Sequence, residues 1–157
     1  MEPIRELIAV DLEMTGLQVK TDRILEIGAV RLVDGQLRDT FQTFVNPHRR
    51  IDVRITELTG IRPEMVENAP EAGEALRKFL EFAGEAPLLG HNVIFDYSFL
   101  KQCAVNHKIS LERSALDTLK IARKVLKEQR HCADIFRLTG NMRTGRWTMQ
   151  KQRQNFF

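Results

Sequence analysis

Two carboxylates, Asp11 and Glu13, close the apolar run Ile4-Arg5-Glu6-Leu7-Ile8-Ala9-Val10. Residues two apart on a strand point to the same face. Like charges placed in this way repel unless something positive lies between them. A divalent metal site that handles phosphate meets that need, and on this ground the chain reads as a candidate phosphodiesterase. A third acid, Asp96, lies in Gly90-His91-Asn92-Val93-Ile94-Phe95-Asp96-Tyr97-Ser98-Phe99-Leu100. It follows a short apolar stretch and falls early on a helical pattern. That places it at the carboxyl edge of a sheet, where α/β architectures hold their ligands, within reach of the end of the first strand.

The elements that must position these acids follow from periodicity. Residues 4–10 read as a buried strand, and residues 14–22 as a loop. Arg23 to Leu32 reads as a second strand, Asp34-Gly35 as a hairpin turn, and Leu37 to Val45 as a third strand that Asn46-Pro47 terminates. The start is therefore a three-stranded antiparallel unit. Residues 53–59 make a short helix or turn closed by Gly60. Ala69-Pro70-Glu71 opens a helix with proline in its first turn, whose apolar face is Ala72, Ala75, Leu76, Phe79, Leu80 and Ala83, and Gly84 ends it. Pro87 to Gly90 is a short strand. Asn92 caps a helix running to about Asn106, with Phe95, Phe99, Leu100, Cys103 and Ala104 inward. Leu116-Asp117-Thr118 starts another element, which Leu119, Ala122, Val125 and Leu126 continue as a helix. Strands and helices in this order imply an α/β layer fold.

The chain has 157 residues, 43% hydrophobic and 29% charged, which fits one soluble globular domain. No apolar stretch approaches a membrane span, and the N-terminus lacks a signal-peptide pattern, so the expected setting is the cytoplasm. Cys103 and Cys132 read as free thiols. The net charge of +3 is unevenly spread. Lys120, Arg123, Lys124, Lys127, Arg130, Arg137, Arg143, Arg146, Lys151 and Arg153 make the C-terminal part basic. A basic flank beside an acidic site suits a nucleic-acid substrate.

Five segments together carry a family resemblance: Val10-Asp11-Leu12-Glu13-Met14-Thr15-Gly16-Leu17, Arg23-Ile24-Leu25-Glu26-Ile27-Gly28-Ala29-Val30, Ile55-Thr56-Glu57-Leu58-Thr59-Gly60-Ile61, His91 to Leu100, and Leu116-Asp117-Thr118. In order and spacing they resemble the DEDD 3′–5′ exonucleases, in the proofreading branch associated with bacterial DNA polymerase III, over roughly residues 5–128. The resemblance implies a ribonuclease H-like fold: a five-stranded mixed sheet, its first three strands antiparallel, flanked by helices. It implies that Asp11 bridges two cations, Mg²⁺ or Mn²⁺, that Glu13 helps hold the cation activating water, and that Asp96 holds the partner cation on the leaving-group side. Met14, Thr15, Gly16, Leu58, Thr59, Ile61, Asn92 and Phe95 would hold the terminal nucleotide, in single-stranded DNA or at a frayed 3′ end. Asp117 has a structural role more often than a ligating one in this family. His91 reads as a core histidine that fixes the turn carrying Asp96, Glu26 as pairing or capping near the site, and His48 and His107 as surface residues. A DNA polymerase subunit is the implied protein partner.

The pattern fails at its end. The histidine-type branch closes with His-Arg-Ala-Leu-x-Asp-Ala on a late helix, and no such segment occurs here. His131 has Asp134 three residues on, and Phe136 stands at the spacing the family gives to its last Asp. His131 and Asp134 are candidate substitutes. The atypical tail, residues 130–157, has another reading. Over Asn141 to Gln150, the neighbouring reading frame permits a stretch containing His-Arg-Ala-Leu-Asp-Asp-Ala, so the expectation is a frame shift near residue 129 or 130 and an incomplete or altered C-terminal helix. Without the last acid and the histidine, activity should fall by orders of magnitude. Two other functions compete: an oligoribonuclease-like RNA exonuclease, which Asp-Leu-Glu-Met-Thr-Gly-Leu resembles, and a non-catalytic nucleic-acid-binding or polymerase-associated module.

Overall fold

A computed structural model describes residues 4–125 of the chain. The tail expectations, with His131, Asp134 and the 130–157 segment, lie outside the described residues, as do Cys132 and Leu126.

The first strand is longer than its apolar run. β1 extends over Glu6–Met14, so Asp11 and Glu13 lie within the strand and not in the loop after it. The reason is pairing: β2 (Ile24–Val33) runs antiparallel beside β1, and the ladder continues through Asp11↔Gly28 and Glu13↔Glu26 to a register shift at Met14. The hairpin expected at Asp34-Gly35 is present. Both residues have positive φ, 49° and 76°, as a tight twisted turn requires, and β3 (Gln36–Phe44) follows. β4 (Leu88–Gly90) and β5 (Ala115–Asp117) add in parallel on the other side. The sheet is five-stranded in the order β3-β2-β1-β4-β5, the mixed α/β sheet with three antiparallel strands first.

One face of this sheet carries the main core. Ile8, Val10 and Leu12 of β1 and Ile27 and Ala29 of β2 pack with Leu76, Phe79 and Ala83 of α3 (Ala72–Ala83) and with Val93, Phe99, Leu100 and Ala104 of α4 (Val93–Asn106). Full burial of each of the valine, leucine, isoleucine and phenylalanine side chains contributes about 1.5–3 kcal/mol. A second, smaller cluster joins Leu25, Ile51, Ile61 and Val66. It anchors α1 (Val53–Thr59) and α2 (Pro63–Val66) at the end of the sheet where β1 finishes. Asp52 caps α1 by accepting the Arg54 N–H, and Gly60, at φ 76°, ends it. The one-turn α2 is too short to leave a periodic signal. Pro70 stands outside α3, because Glu71 keeps an extended backbone and is the N-cap; proline is therefore not in the first turn. α5 (Thr118–Val125) follows β5 directly. None of its residues is buried, and Val125, expected on its apolar face, is exposed. Among the described residues no helix is long and apolar enough to cross a membrane.

Candidate active site

Strand periodicity sets the acidic face. Ile8, Val10 and Leu12 turn to the helices, so Asp11 and Glu13 turn to the opposite face. Register then adds neighbours. Directly opposite residues share a face, with Cβ atoms about 5 Å apart. Glu26 of β2 stands opposite Glu13, and Phe44 of β3 opposite Glu26; Gly28 stands opposite Asp11, and Gln42 opposite Gly28. The Gln42 amide donates to the Glu26 carboxylate. Glu13 is only 7% exposed. Two glutamates directly opposite each other, one of them buried, favour a positive group between them.

Asp96 reaches this strand from the helix layer. α4 turns Val93, Asp96, Phe99, Leu100 and Cys103 inward, so Asp96 is a carboxylate in an otherwise apolar stripe and is 8% exposed. Its place follows from the shortness of β4. Alternate amides of β1 face β4; Ile8 donates to Pro87 O at 2.9 Å. By the same alternation the Leu12 N–H also faces that side, but β4 has ended at Gly90. Asp96 Oδ1 accepts it instead, at 3.1 Å. A buried amide left unmet would cost about 1–3 kcal/mol. The bond thus fixes a carboxylate from residue 96 onto the backbone between Asp11 and Glu13.

The turn into α4 is held from β5. Asn92 is in the left-handed region at φ 60° and makes no side-chain cap bond. Its N–H donates to Asp117 Oδ1 at 3.0 Å. The same oxygen accepts Leu119 N–H at 2.9 Å and Lys120 N–H at 3.4 Å, so Asp117 caps α5 and braces the turn that carries Asp96. That is a structural placement. His91 differs from the core-histidine expectation: it is exposed, with Nδ1 3.2 Å from Thr118 Oγ1. An imidazole bonded to a hydroxyl at the sheet edge keeps its polar partner without entering the apolar core. Gly90 permits the approach, since a Cβ there would lie 3.1 Å from the Val10 carbonyl oxygen and 2.9 Å from Val93 Cγ2.

The expected nucleotide contacts divide. Met14 is half-buried at the strand end, Leu58 is exposed on α1, Asn92 is exposed, and Phe95 packs edge-on against Phe99. Thr15 is occupied: its hydroxyl donates to Asp22 Oδ1 and accepts from the Arg23 N–H, both at 3.0 Å. Gly16 backs onto Asp22. Thr59 is buried, its hydroxyl donating to Ile55 O at 2.8 Å, and Ile61 is a core residue at 1% exposure. Side-chain contact from these two would need the core to open; their role at this end is to shape the loop. Gln42 carries no mark of the site in the sequence, and the pairing or capping expected of Glu26 has Gln42 as a partner. Only the register of the hairpin signals both.

The donor set is all carboxylate, which suits a hard divalent cation. As placed, no three His, Cys, Asp or Glu side chains among the described residues stand close enough to hold one. A cavity of about 270 Å³ lies elsewhere, between the 18–24 loop, His48 and the Phe99–His107 part of α4, and touches none of Asp11, Glu13 and Asp96. It contains Cys103, whose thiol burial pushes up to about 11.

Comparison with known proteins bears on the family and the fold. The exonuclease family model of RNase T type matches residues 8–146. The DNA polymerase III PolC-type of Caldanaerobacter subterraneus subsp. tengcongensis is 46% identical over 123 residues, 78% of this chain and 9% of that protein. The corresponding protein of Clostridium perfringens is 43% identical over 118 residues, 75% of this chain and 8% of its own length. The chain thus spans less than a tenth of the curated relatives it matches. Among solved structures, apo exonuclease I superposes with a TM-score of 0.70 at 16% identity, covering 83% of this chain and 32% of that one. Escherichia coli exonuclease I in complex with a dA16 oligonucleotide gives 0.69 at 15% identity, covering 81% and 30%. At such identities the likeness is one of fold. The family match, by contrast, runs from within β1 to beyond α5, through every element that carries a candidate carboxylate, and on it the chain belongs to the DEDD-type exonuclease family.

Proposed function

We propose that this chain is a single metal-dependent 3′–5′ exonuclease domain that releases 5′-nucleotides from DNA 3′ ends, in a proofreading or repair setting in the cytoplasm. The observation that carries the reading is the bond from the Leu12 amide to Asp96 Oδ1, which brings a third carboxylate to the strand segment bearing Asp11 and Glu13. Asp11, Glu13 and Asp96 would hold two divalent cations, Mg²⁺ or Mn²⁺. Bound there, the cations would lower the pKa of the attacking water and stabilise the charge that grows on the phosphoryl oxygens. Glu26, opposite Glu13 and bonded by the Gln42 amide, adds negative charge beside that carboxylate and so favours a cation there. Leu58, Met14, Asn92 and Phe95 would receive the terminal nucleotide without reading its sequence. A DNA polymerase subunit is the proposed partner, in keeping with the polymerase names of the curated relatives.

The test is digestion of 3′-labelled single-stranded DNA by the purified chain with Mn²⁺, against Asp11→Asn and against EDTA. Mononucleotide release is expected only from the unsubstituted chain with metal. Equal release by Asp11→Asn would remove the site assignment. His131→Ala and Asp134→Asn, in the same assay, decide whether these residues replace the family's final pair.

One segment favours a second reading. Asp11-Leu12-Glu13-Met14-Thr15-Gly16-Leu17 resembles the oligoribonuclease branch, and preference for RNA of two to five nucleotides over DNA would overturn the choice of substrate. Binding of DNA with no metal-dependent product would support the non-catalytic module.

A further inference from the structure

The end of the sheet that carries the acids is also ringed by cations. Lys20 and Arg23 lie on the β1–β2 connection, Arg49 and Arg50 on the β3–α1 connection, and Arg54 in the first turn of α1; all are exposed. Two carboxylates lie among them, and both are committed. Asp52 caps α1. Asp22 accepts the Thr15 hydroxyl through Oδ1 at 3.0 Å and the Gln18 N–H through Oδ2 at 2.9 Å.

Two of these arginines converge. Arg23 Nη1 donates to the Thr21 carbonyl at 2.9 Å, and Arg49 Nη1 donates to the same oxygen at 3.1 Å. Arg23 Nη1 also donates to the Asp22 carbonyl at 3.1 Å, so neutral carbonyls, one of them shared, gather two guanidinium groups from different loops. The nearest acid, Asp22 Oδ1, is 3.7 Å from Arg49 and already holds the Thr15 hydroxyl. Bringing like charges together without equal compensation is unfavourable, and an anion relieves it. The planar guanidinium fork matches phosphate oxygens.

The Arg23 backbone is also tied to the end of the acidic strand. Thr15 N–H donates to Arg23 O at 2.8 Å, and Arg23 N–H donates to Thr15 Oγ1 at 3.0 Å. Thr15 is two residues beyond Glu13, about 7 Å of strand. A nucleic-acid strand entering the acidic site would pass this edge, and its phosphates would need donors there.

We propose that Arg23 and Arg49 form a clamp for one phosphodiester of a single-stranded DNA substrate, next to the reacting end; the proposal rests on the nuclease reading above. Binding of a dye-labelled oligothymidylate is followed by anisotropy in EDTA, where nothing is hydrolysed, across a range of NaCl concentrations. Arg23→Gln and Arg49→Gln should each weaken binding about tenfold and reduce the slope of log K against log[salt] by about 0.7, one phosphate contact. Because both serve the same phosphate, the double variant should lose much less than the product of the two. Arg23→Lys/Arg49→Lys should keep the slope but weaken binding, because a point charge does not match the phosphate as the planar fork does, and Lys78→Gln, on the far helix, should change nothing. Thermal melting checks that each variant is folded, and the lysine pair carries the test if the glutamine variants are not. Unchanged affinity and slope, or strictly multiplicative losses, overturn the clamp while leaving the nuclease reading intact. An unsubstituted chain that binds no DNA overturns that reading, and the clamp with it.

Discussion

Asp117 separates a structural carboxylate from a chemical one, and replacing it by alanine or by asparagine should give opposite results. One oxygen, Oδ1, accepts three amides: Asn92 at 3.0 Å, Leu119 at 2.9 Å and Lys120 at 3.4 Å. Asp117→Ala removes the cap of α5, worth about 1 kcal/mol. It also leaves the part-buried Asn92 amide without its acceptor, a further 1–3 kcal/mol or so. The sum, about 2–4 kcal/mol, corresponds to a fall in Tm of roughly 10 °C for a chain of this size. Because Asn92 opens the turn into α4, the loss should also loosen Asp96 and lower exonuclease activity. Asp117→Asn keeps an acceptor at Oδ1, so its stability should stay within about 1 kcal/mol of the parent and its activity close to it. Asp11→Asn should do the reverse, melting like the parent and losing about a hundredfold or more of the activity. The assays are circular-dichroism melting and Mn²⁺-dependent release of mononucleotide. An Asp117→Asn chain that melts normally and is as inactive as Asp11→Asn would refute the structural role. An Asp117→Ala chain as stable as the parent would refute the hydrogen-bond reasoning itself.

Asp96→Asn should leave the Leu12 amide protected, whereas Asp96→Ala should cost about 1–3 kcal/mol and speed hydrogen exchange at that one amide; equal exchange in both would show that the carboxylate does not hold the strand. Gly90→Ala drives a Cβ to 3.1 Å from the Val10 carbonyl oxygen, which belongs to a central strand and cannot retreat. A loss of about 1–3 kcal/mol in denaturant melts is expected, and parent-like stability would contradict the close approach. Burial pushes the Cys103 thiol up to about 11, so it stays protonated at pH 8; in a Cys132→Ser background a thiol reagent should modify it only as the fold opens, and labelling at the rate of the unfolded chain would count against burial. The sign of the pH dependence follows. The folded thiol holds its proton more tightly than the unfolded one, so its contribution to stability is full below about pH 9 and is lost as pH rises through about 11, visible as a Tm that falls over that window and is restored by Cys103→Ala.

Local chemistry made much of this protein legible. The spacing of Asp11 and Glu13 needs only the two-residue period of a strand, and the Asp34-Gly35 turn needs only the left-handed preference of its residues. The three antiparallel strands and the helix ending at Gly84 follow from such near-neighbour rules, whereas the expected Asn92 side-chain cap is replaced by a bond from its N–H to Asp117. What those rules missed was set by contacts far apart in the chain. β1 reaches Met14 because β2 pairs with it, not because its own residues are apolar. Glu26 faces Glu13 because of register, which no single strand contains. His91 is exposed and Ile61 buried because of how their turns dock.

The site shows the same division. The sequence alone identified three carboxylates and the family they resemble, since residue type and spacing are properties of the chain. Tertiary structure decided how they meet: β4 stops one residue short of covering the Leu12 amide, and Asp96, eighty-four residues away, fills the gap. It also decided that Asp117 Oδ1 braces the turn into α4, and that Arg23 and Arg49 share one carbonyl. The physical reason is that an unmet amide or a crowded charge comes into being only when distant segments pack together, and nothing in local propensity records it.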